Sequence, residues 1–192
     1  MDAERQVFEY GTYKEYIRAQ RNRALRTGRQ TRRYSEHRAE IASKLSTLCP
    51  DARTMLCIGS RSDVEILDFE SYGFTVEGID LYSTSRIVKC DMSKIDRHGS
   101  FAGRKFDIFT SIHSIEHCMD FEGFLRGMRM CQTAFACVTP LISAPTEWDC
   151  SAFKFAHPES GVEEIERAFP EFRVAWRETG KNTLRFVALR KM

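Results

Sequence analysis

The sequence predicts one α/β domain built on a mixed, mainly parallel sheet of seven strands. Three observations carry this prediction. Short apolar runs alternate with helical patterns through the middle of the chain, which is the signature of strands joined by crossover helices. The C-terminal tail breaks that alternation with two strand-like runs, 172–179 and 183–191, separated by Gly180, Lys181 and Asn182, a spacing that reads as an antiparallel hairpin. A length of 192 residues suffices for one two-faced sheet with its covering helices and hardly for more.

Taken in order, the first fifty residues read as helical. Tyr13, Tyr16, Ile17, Gln20 and Ala24 recur at three- and four-residue spacing, and a second helix is expected from about Tyr34 to Leu48, ended by Cys49-Pro50. Strands are expected at 54–58, 75–79, 86–89, 106–112 and 134–139, and helices at 62–71, 119–131 and 161–168. This divides the chain into a basic helical N-terminal extension, 1–50, and a domain spanning 51–192.

Lys and Arg (29) nearly balance Asp and Glu (27), so the molecule as a whole has no field that dictates a polyanionic partner. The basic residues are concentrated between Lys14 and Lys44, where ten face only three acidic ones. Such a stretch can neutralise phosphates, but Tyr34 is almost the only aromatic among the charges, and a solvated helical face is the commoner fate; nucleic acid is not the favoured partner. Seven cysteines, none spaced CxxC, suggest neither a disulfide framework nor a zinc knuckle, and Cys57 and Cys137 read as small buried residues. The N-terminus lacks an apolar leader and no run of eighteen apolar residues occurs, so the expectation is a soluble, cytoplasmic protein without a membrane span.

In open α/β sheets ligands lie at the carboxyl ends of the strands. After the first strand comes Gly59, then Ser60 and Arg61; after the second, about twenty residues on, comes Asp80; after the third come Asp91 and Met92; after the fourth comes SIHSIEH, 111–117. An acid at the position of Asp80 can accept both hydroxyls of a ribose. Asp91 can accept from an exocyclic amine while Met92 covers an adenine face. A pyrophosphate reader is missing, because the loop has one glycine and Asp63 and Glu65 stand in the following helical turn, where they repel phosphate. Adenine and ribose without phosphate point to S-adenosylmethionine.

The succession LCIGSRSDVEI, VEGIDLYS, VKCDMSKI, KFDIFTSIHSIEH resembles class I SAM-dependent methyltransferases, in particular a subgroup with an IGSR-type first loop and a HxxEH segment after the fourth strand. The resemblance covers about residues 54–140. It implies a Rossmann-like methyltransferase fold in which Gly59, Ser60 and Arg61 flank the methionine part, Asp80 binds the ribose, Asp91 and Met92 meet the adenine, and Leu81 is a further cofactor contact. Ser111, Ile112 and His113 then line the floor near the methyl group.

His113, one residue past a strand, is the candidate catalytic base for a methyl acceptor of unidentified class. Its bland alternative is a packed histidine, with Glu116 and His117 starting the next helix. A metal site is not expected, since Glu116 and His117 are adjacent and would diverge on a helix. Asp107, at the start of its strand, reads as structural. The segment 141–160, with Trp148, Phe153, Phe155 and His157, is expected to wall the acceptor side. Two other readings stay open: a catalytically inactive SAM-binding or interaction module with the same fold, and an NAD-dependent oxidoreductase, disfavoured by the missing glycines.

Overall fold

The computed structural model describes residues 12–27, 34–118, 120–140, 166–167, 169–180 and 183–191. Two helices, α1 (Tyr13–Thr27) and α2 (Ser35–Leu48), precede the sheet. Then come β1 (Thr54–Ile58), α3 (Asp63–Glu70), β2 (Thr75–Asp80), β3 (Ile87–Lys89), β4 (Phe106–Ile112), α4 (Phe121–Gly127), β5 (Cys131–Pro140), β6 (Phe172–Thr179) and β7 (Thr183–Arg190). The seven strands form one sheet in the order β3-β2-β1-β4-β5-β7-β6. β1 to β5 are parallel, and β7 runs antiparallel to both β5 and β6. This is the predicted mixed sheet with its terminal hairpin. Strand order reverses between β1 and β4, which places the ligand crevice over their carboxyl ends.

Alternation along the strands sorts the core into two faces. Leu56, Ile58, Phe109, Phe135, Phe186 and Ala188 point to one, where α4 adds Phe124 and the 3₁₀ turn Met92–Arg97 adds Ile95. Met55, Cys57, Ile108, Ala134, Ala136, Val138 and Val187 point to the other, where α2 adds Ile41, Ala42 and Leu45 and α3 adds Ile66 and Phe69. The two alanines of β5 leave room for α2 to settle onto the sheet. Each large side chain wholly removed from water here contributes about 1.5–3 kcal/mol, so the N-terminal segment supplies α2 as one wall of the core.

Boundaries differ from expectation in two places. The helix expected over 119–131 is only α4 plus a 3₁₀ turn, Met128–Met130. Asp120 sets its start by accepting from the Gly123 N–H at 2.8 Å, and β5 then begins at Cys131, three residues earlier than its apolar run suggests. Asp107 is structural: its Oδ2 accepts from the N–H groups of Arg53 (2.8 Å) and Thr54 (2.9 Å) and from the Thr54 hydroxyl (3.0 Å). Partial burial acts to raise its pKa, and these bonds outweigh it and hold the carboxyl below its ordinary value. Glu166 and Arg167 are helical; most of the helix expected over 161–168 and all of 141–160 lie outside the described residues. No helix among the described residues is long and apolar enough to cross a membrane.

Candidate active site

The turn after β1 is built around Gly59, at φ +74°. A Cβ at this position would fall inside contact distance of Ser114 Cβ and 2.7 Å from its Oγ. Ser114 cannot retreat, because its hydroxyl donates to Ile58 O at 2.6 Å and lies 2.8 Å from Ser111 Oγ, which in turn accepts the Ile115 N–H at 3.1 Å. The close approach that demands glycine is thus made by the chain's own β4 turn. Both the Gly59 and Ser60 N–H groups donate to Ile79 O, at 2.8 and 3.0 Å. Ser60 is buried and its hydroxyl donates to Cys57 O at 3.2 Å.

Arg61 leaves the turn toward the site, its Nη2 donating to His113 O at 3.3 Å while its own carbonyl accepts from the Tyr82 hydroxyl. Beneath the turn lies Glu65, from the first turn of α3 and 7% exposed. Burial pushes its pKa up to about 7, against the pull of Arg38 and Arg61. Arg38 reaches in from α2 and is ion-paired with Asp68 at 2.6 Å. A buried acid flanked by two guanidinium groups therefore supports a loop that lacks the usual glycines.

The register Ile58↔Ile79 sets Asp80 level with Gly59. The Asp80 carboxylate is half-buried and accepts the Leu81 N–H at 2.5 Å. Asp91 caps the 3₁₀ turn, its Oδ1 accepting the Ser93 N–H at 2.8 Å and hydroxyl at 2.7 Å. Its Oδ2 accepts from the hydroxyl of Tyr13 on α1, a partner absent from the sequence reading. Lys94 sits over the Tyr13 ring, 4.3 Å from its centroid, and the buried Tyr16 donates to His117 O at 2.7 Å. Helix α1 is thereby fastened across the ends of β3 and β4. Met92 is half-buried against the phenylalanine face, and Ser111 and Ile112 are buried at the end of β4.

His113 takes φ +52°, a conformation uncommon for a non-glycine residue and worth noting where it borders a site. Its N–H donates to Val138 O at 2.7 Å, which holds the strained residue against β5. The expectation that Glu116 and His117 diverge is overturned. Residues Ile115–His117 form a 3₁₀ turn, and Glu116 Oε1 lies 3.7 Å from both His113 Nδ1 and His117 Nε2. Glu116 is 1% exposed; burial would raise its pKa, but His117 and His113 outweigh it and draw the carboxyl down to about 2. His37 of α2 and Tyr34, the residue that precedes α2, complete the cluster. The Tyr34 ring centroid stands 4.7 Å from that of His113 and 6.1 Å from that of His37, and the two imidazole centroids are 5.9 Å apart. Sequence reading passed over His37; its i,i+3 relation to Tyr34 was the available signal.

Gly59, Arg61, Asp80, Asp91 and His113 thus gather at one end of the sheet. A groove of about 690 Å³ lined by Leu48, Thr133, Arg173 and Arg190 lies at the other, where β5 begins and β7 ends, and takes no part in this arrangement. Trp148, Phe153, Phe155 and His157 lie outside the described residues.

No protein-family model matches the chain, and no curated protein matches its sequence. Its fold does have solved counterparts. The chain is similar over its whole length, and over 98% of the other chain, to the 1,6-didemethyltoxoflavin-N1-methyltransferase of Burkholderia thailandensis, solved with 1,6-didemethyltoxoflavin and S-adenosylhomocysteine, at 15% identity and a TM-score of 0.71. It is also similar to the magnesium protoporphyrin IX methyltransferase of Synechocystis with bound S-adenosylhomocysteine, at 10% identity and a TM-score of 0.58, over 96% of this chain and 90% of that one. The likeness establishes the architecture: a Rossmann-like α/β sheet of the methyltransferase type.

Proposed function

We propose that this chain is a SAM-dependent methyltransferase of the class I type, with the IGSR turn and the HxxEH segment as its site. The observation that carries the reading is the convergence of Asp80 and Asp91, at adjacent strand ends, beside the Gly59 turn at the reversal of strand order. The residues fit such a group. Asp91 already accepts from a phenol on its site side, which is the role an adenine amine would take, and Asp80 stands level with Gly59, where a ribose would lie. Met92 and Leu81 supply apolar contact for the adenosine part. Arg61 brings a guanidinium to the turn for the carboxylate of the methionine part, with Gly59 and Ser60 shaping the backbone there. Ser111 and Ile112 form the floor under His113, the candidate base. S-adenosylmethionine bound in this place supplies an electrophilic methyl group and leaves as a neutral thioether.

Isothermal titration tests the reading. S-adenosylhomocysteine is expected to bind, NAD is not, and Asp80→Ala is expected to weaken binding by about 1–3 kcal/mol, the usual loss when buried partners are left unpaired. Unchanged affinity in the variant would remove the ribose assignment. A second reading, a cofactor-binding module without turnover, is favoured by one observation: the Gly59 and Ser60 N–H groups are already spent on Ile79 O. Binding of S-adenosylhomocysteine without methyl transfer to any acceptor tried would support that alternative.

A further inference from the structure

We infer that His37 and His113, with Tyr34 packed beside both, form a paired-imidazole subsite that deprotonates the acceptor, and that the acceptor is an uncharged ring acid, a phenol or heterocyclic N–H. This deepens and rests on the methyltransferase reading. Three rings in mutual contact are drawn from two distant segments, the start of α2 with its preceding residue Tyr34 and the β4 turn. Within that cluster His37 Nδ1 and His113 Nε2 are buried and have no hydrogen-bond partner among the described residues. A buried imidazole nitrogen without a partner costs free energy that ordinary packing does not recover, and one such atom on each ring calls for a ligand able to meet both.

Charge selects the ligand class. Beneath His113 lies the ionised Glu116, which would oppose an incoming carboxylate and stabilises a proton gained by the imidazole above it. Burial first, then a proton on His113 and the charges of Arg185 and Arg38, with Glu36 opposing, lower the His37 pKa. Arg185 is itself bound to Glu40 and to Glu178, and Arg61 touches His113 only through the backbone carbonyl. The pair therefore offers two unpartnered ring nitrogens above a buried carboxylate, an environment suited to taking a proton from a neutral N–H or O–H. Tyr34 and the two imidazoles present flat faces, which favours a ring over an alkyl chain.

In the reaction, the acceptor N–H or O–H proton passes to His113 Nε2. The lone pair so freed forms the bond to the methyl carbon as the carbon–sulfur bond breaks, its electrons staying on sulfur. The imidazolium then hands its proton through His37 to solvent, which restores both rings to the neutral state.

The test uses the full chain and 4-nitrophenol, whose visible band reports ionisation, alongside benzoate and butylamine, with histidine Cε1–H resonances followed by NMR. Expected are joint shifts of the His37 and His113 resonances with the phenol, a phenolate band at a pH where the free probe is mostly neutral, and no comparable shifts with the other two. His37→Asn and His37→Gln should each weaken the phenol about tenfold, the loss of one buried hydrogen bond to an ionised group, and His113→Asn should abolish the band. The pair is overturned if the probe leaves the His37 resonance unmoved, if the band survives in the His113 variant, or if benzoate shifts both rings equally. Probe titrations without cofactor separate the two readings: phenol binding in a protein that ignores S-adenosylhomocysteine keeps the subsite and sinks the methyl-donor assignment, and the converse sinks the subsite alone.

Discussion

Gly59→Ala isolates the contact that joins the β1 and β4 turns. At φ +74° an alanine bears the left-handed penalty of about 1–2 kcal/mol. Its Cβ also meets Ser114, which is pinned by bonds to Ile58 O and Ser111 Oγ, so relief requires moving the turn that carries His113. Forced overpacking of this kind costs about 1–3 kcal/mol. Together these give a loss of about 2–5 kcal/mol, read by urea denaturation with the slope checked for constancy. A double-mutant cycle separates the two parts. Ser114→Gly alone should cost about 1–3 kcal/mol through lost buried hydrogen bonds. Combined with Gly59→Ala it should recover the overpacking part, a favourable coupling of about 1–3 kcal/mol, and leave the φ part standing. Strict additivity would show that the two turns do not press on each other, and the steric account of Gly59 would fail.

Two further outcomes concern charge and the α1 fastening. The folded-state pKa of Glu65, about 7, lies above its ordinary 4.5, so between those values the folded protein binds more protons than the unfolded chain. Stability is accordingly expected to fall as pH rises from about 4.5 to about 7, by at most roughly 3 kcal/mol, and Glu65→Gln should flatten the curve in thermal melts; an equal slope in the variant would clear Glu65 of the effect. Tyr13→Phe removes the phenol from Asp91, and S-adenosylhomocysteine should then bind about three- to tenfold more tightly by calorimetry, since its amine no longer has to displace a hydroxyl. Weaker binding in this variant would show that the hydroxyl assists the ligand.

The sheet was legible because its signals are local. Apolar runs at β1, β4, β5 and β7 and a turn-length gap before Thr183 specify strands without reference to the rest of the chain, and the acids Asp80 and Asp91 fall at strand ends by counting. The sequence likewise placed Asp107 at the base of its strand, where it binds Arg53 and Thr54. The meaning of Gly59 was not legible, since a glycine after a strand looks the same whether it admits a ligand or, as here, the side chain of Ser114 fifty-five residues later. Nor was the partnership of His113 with His37 and Tyr34, or of Asp91 with Tyr13. These contacts join helices to strand ends across long stretches of chain, and helical periodicity reports which side of a helix is apolar but not which strand it will cover. That choice was made by packing: the small side chains Ala134 and Ala136 on β5 let α2 close onto one face, and with it came the histidine and tyrosine that stand over the end of β4.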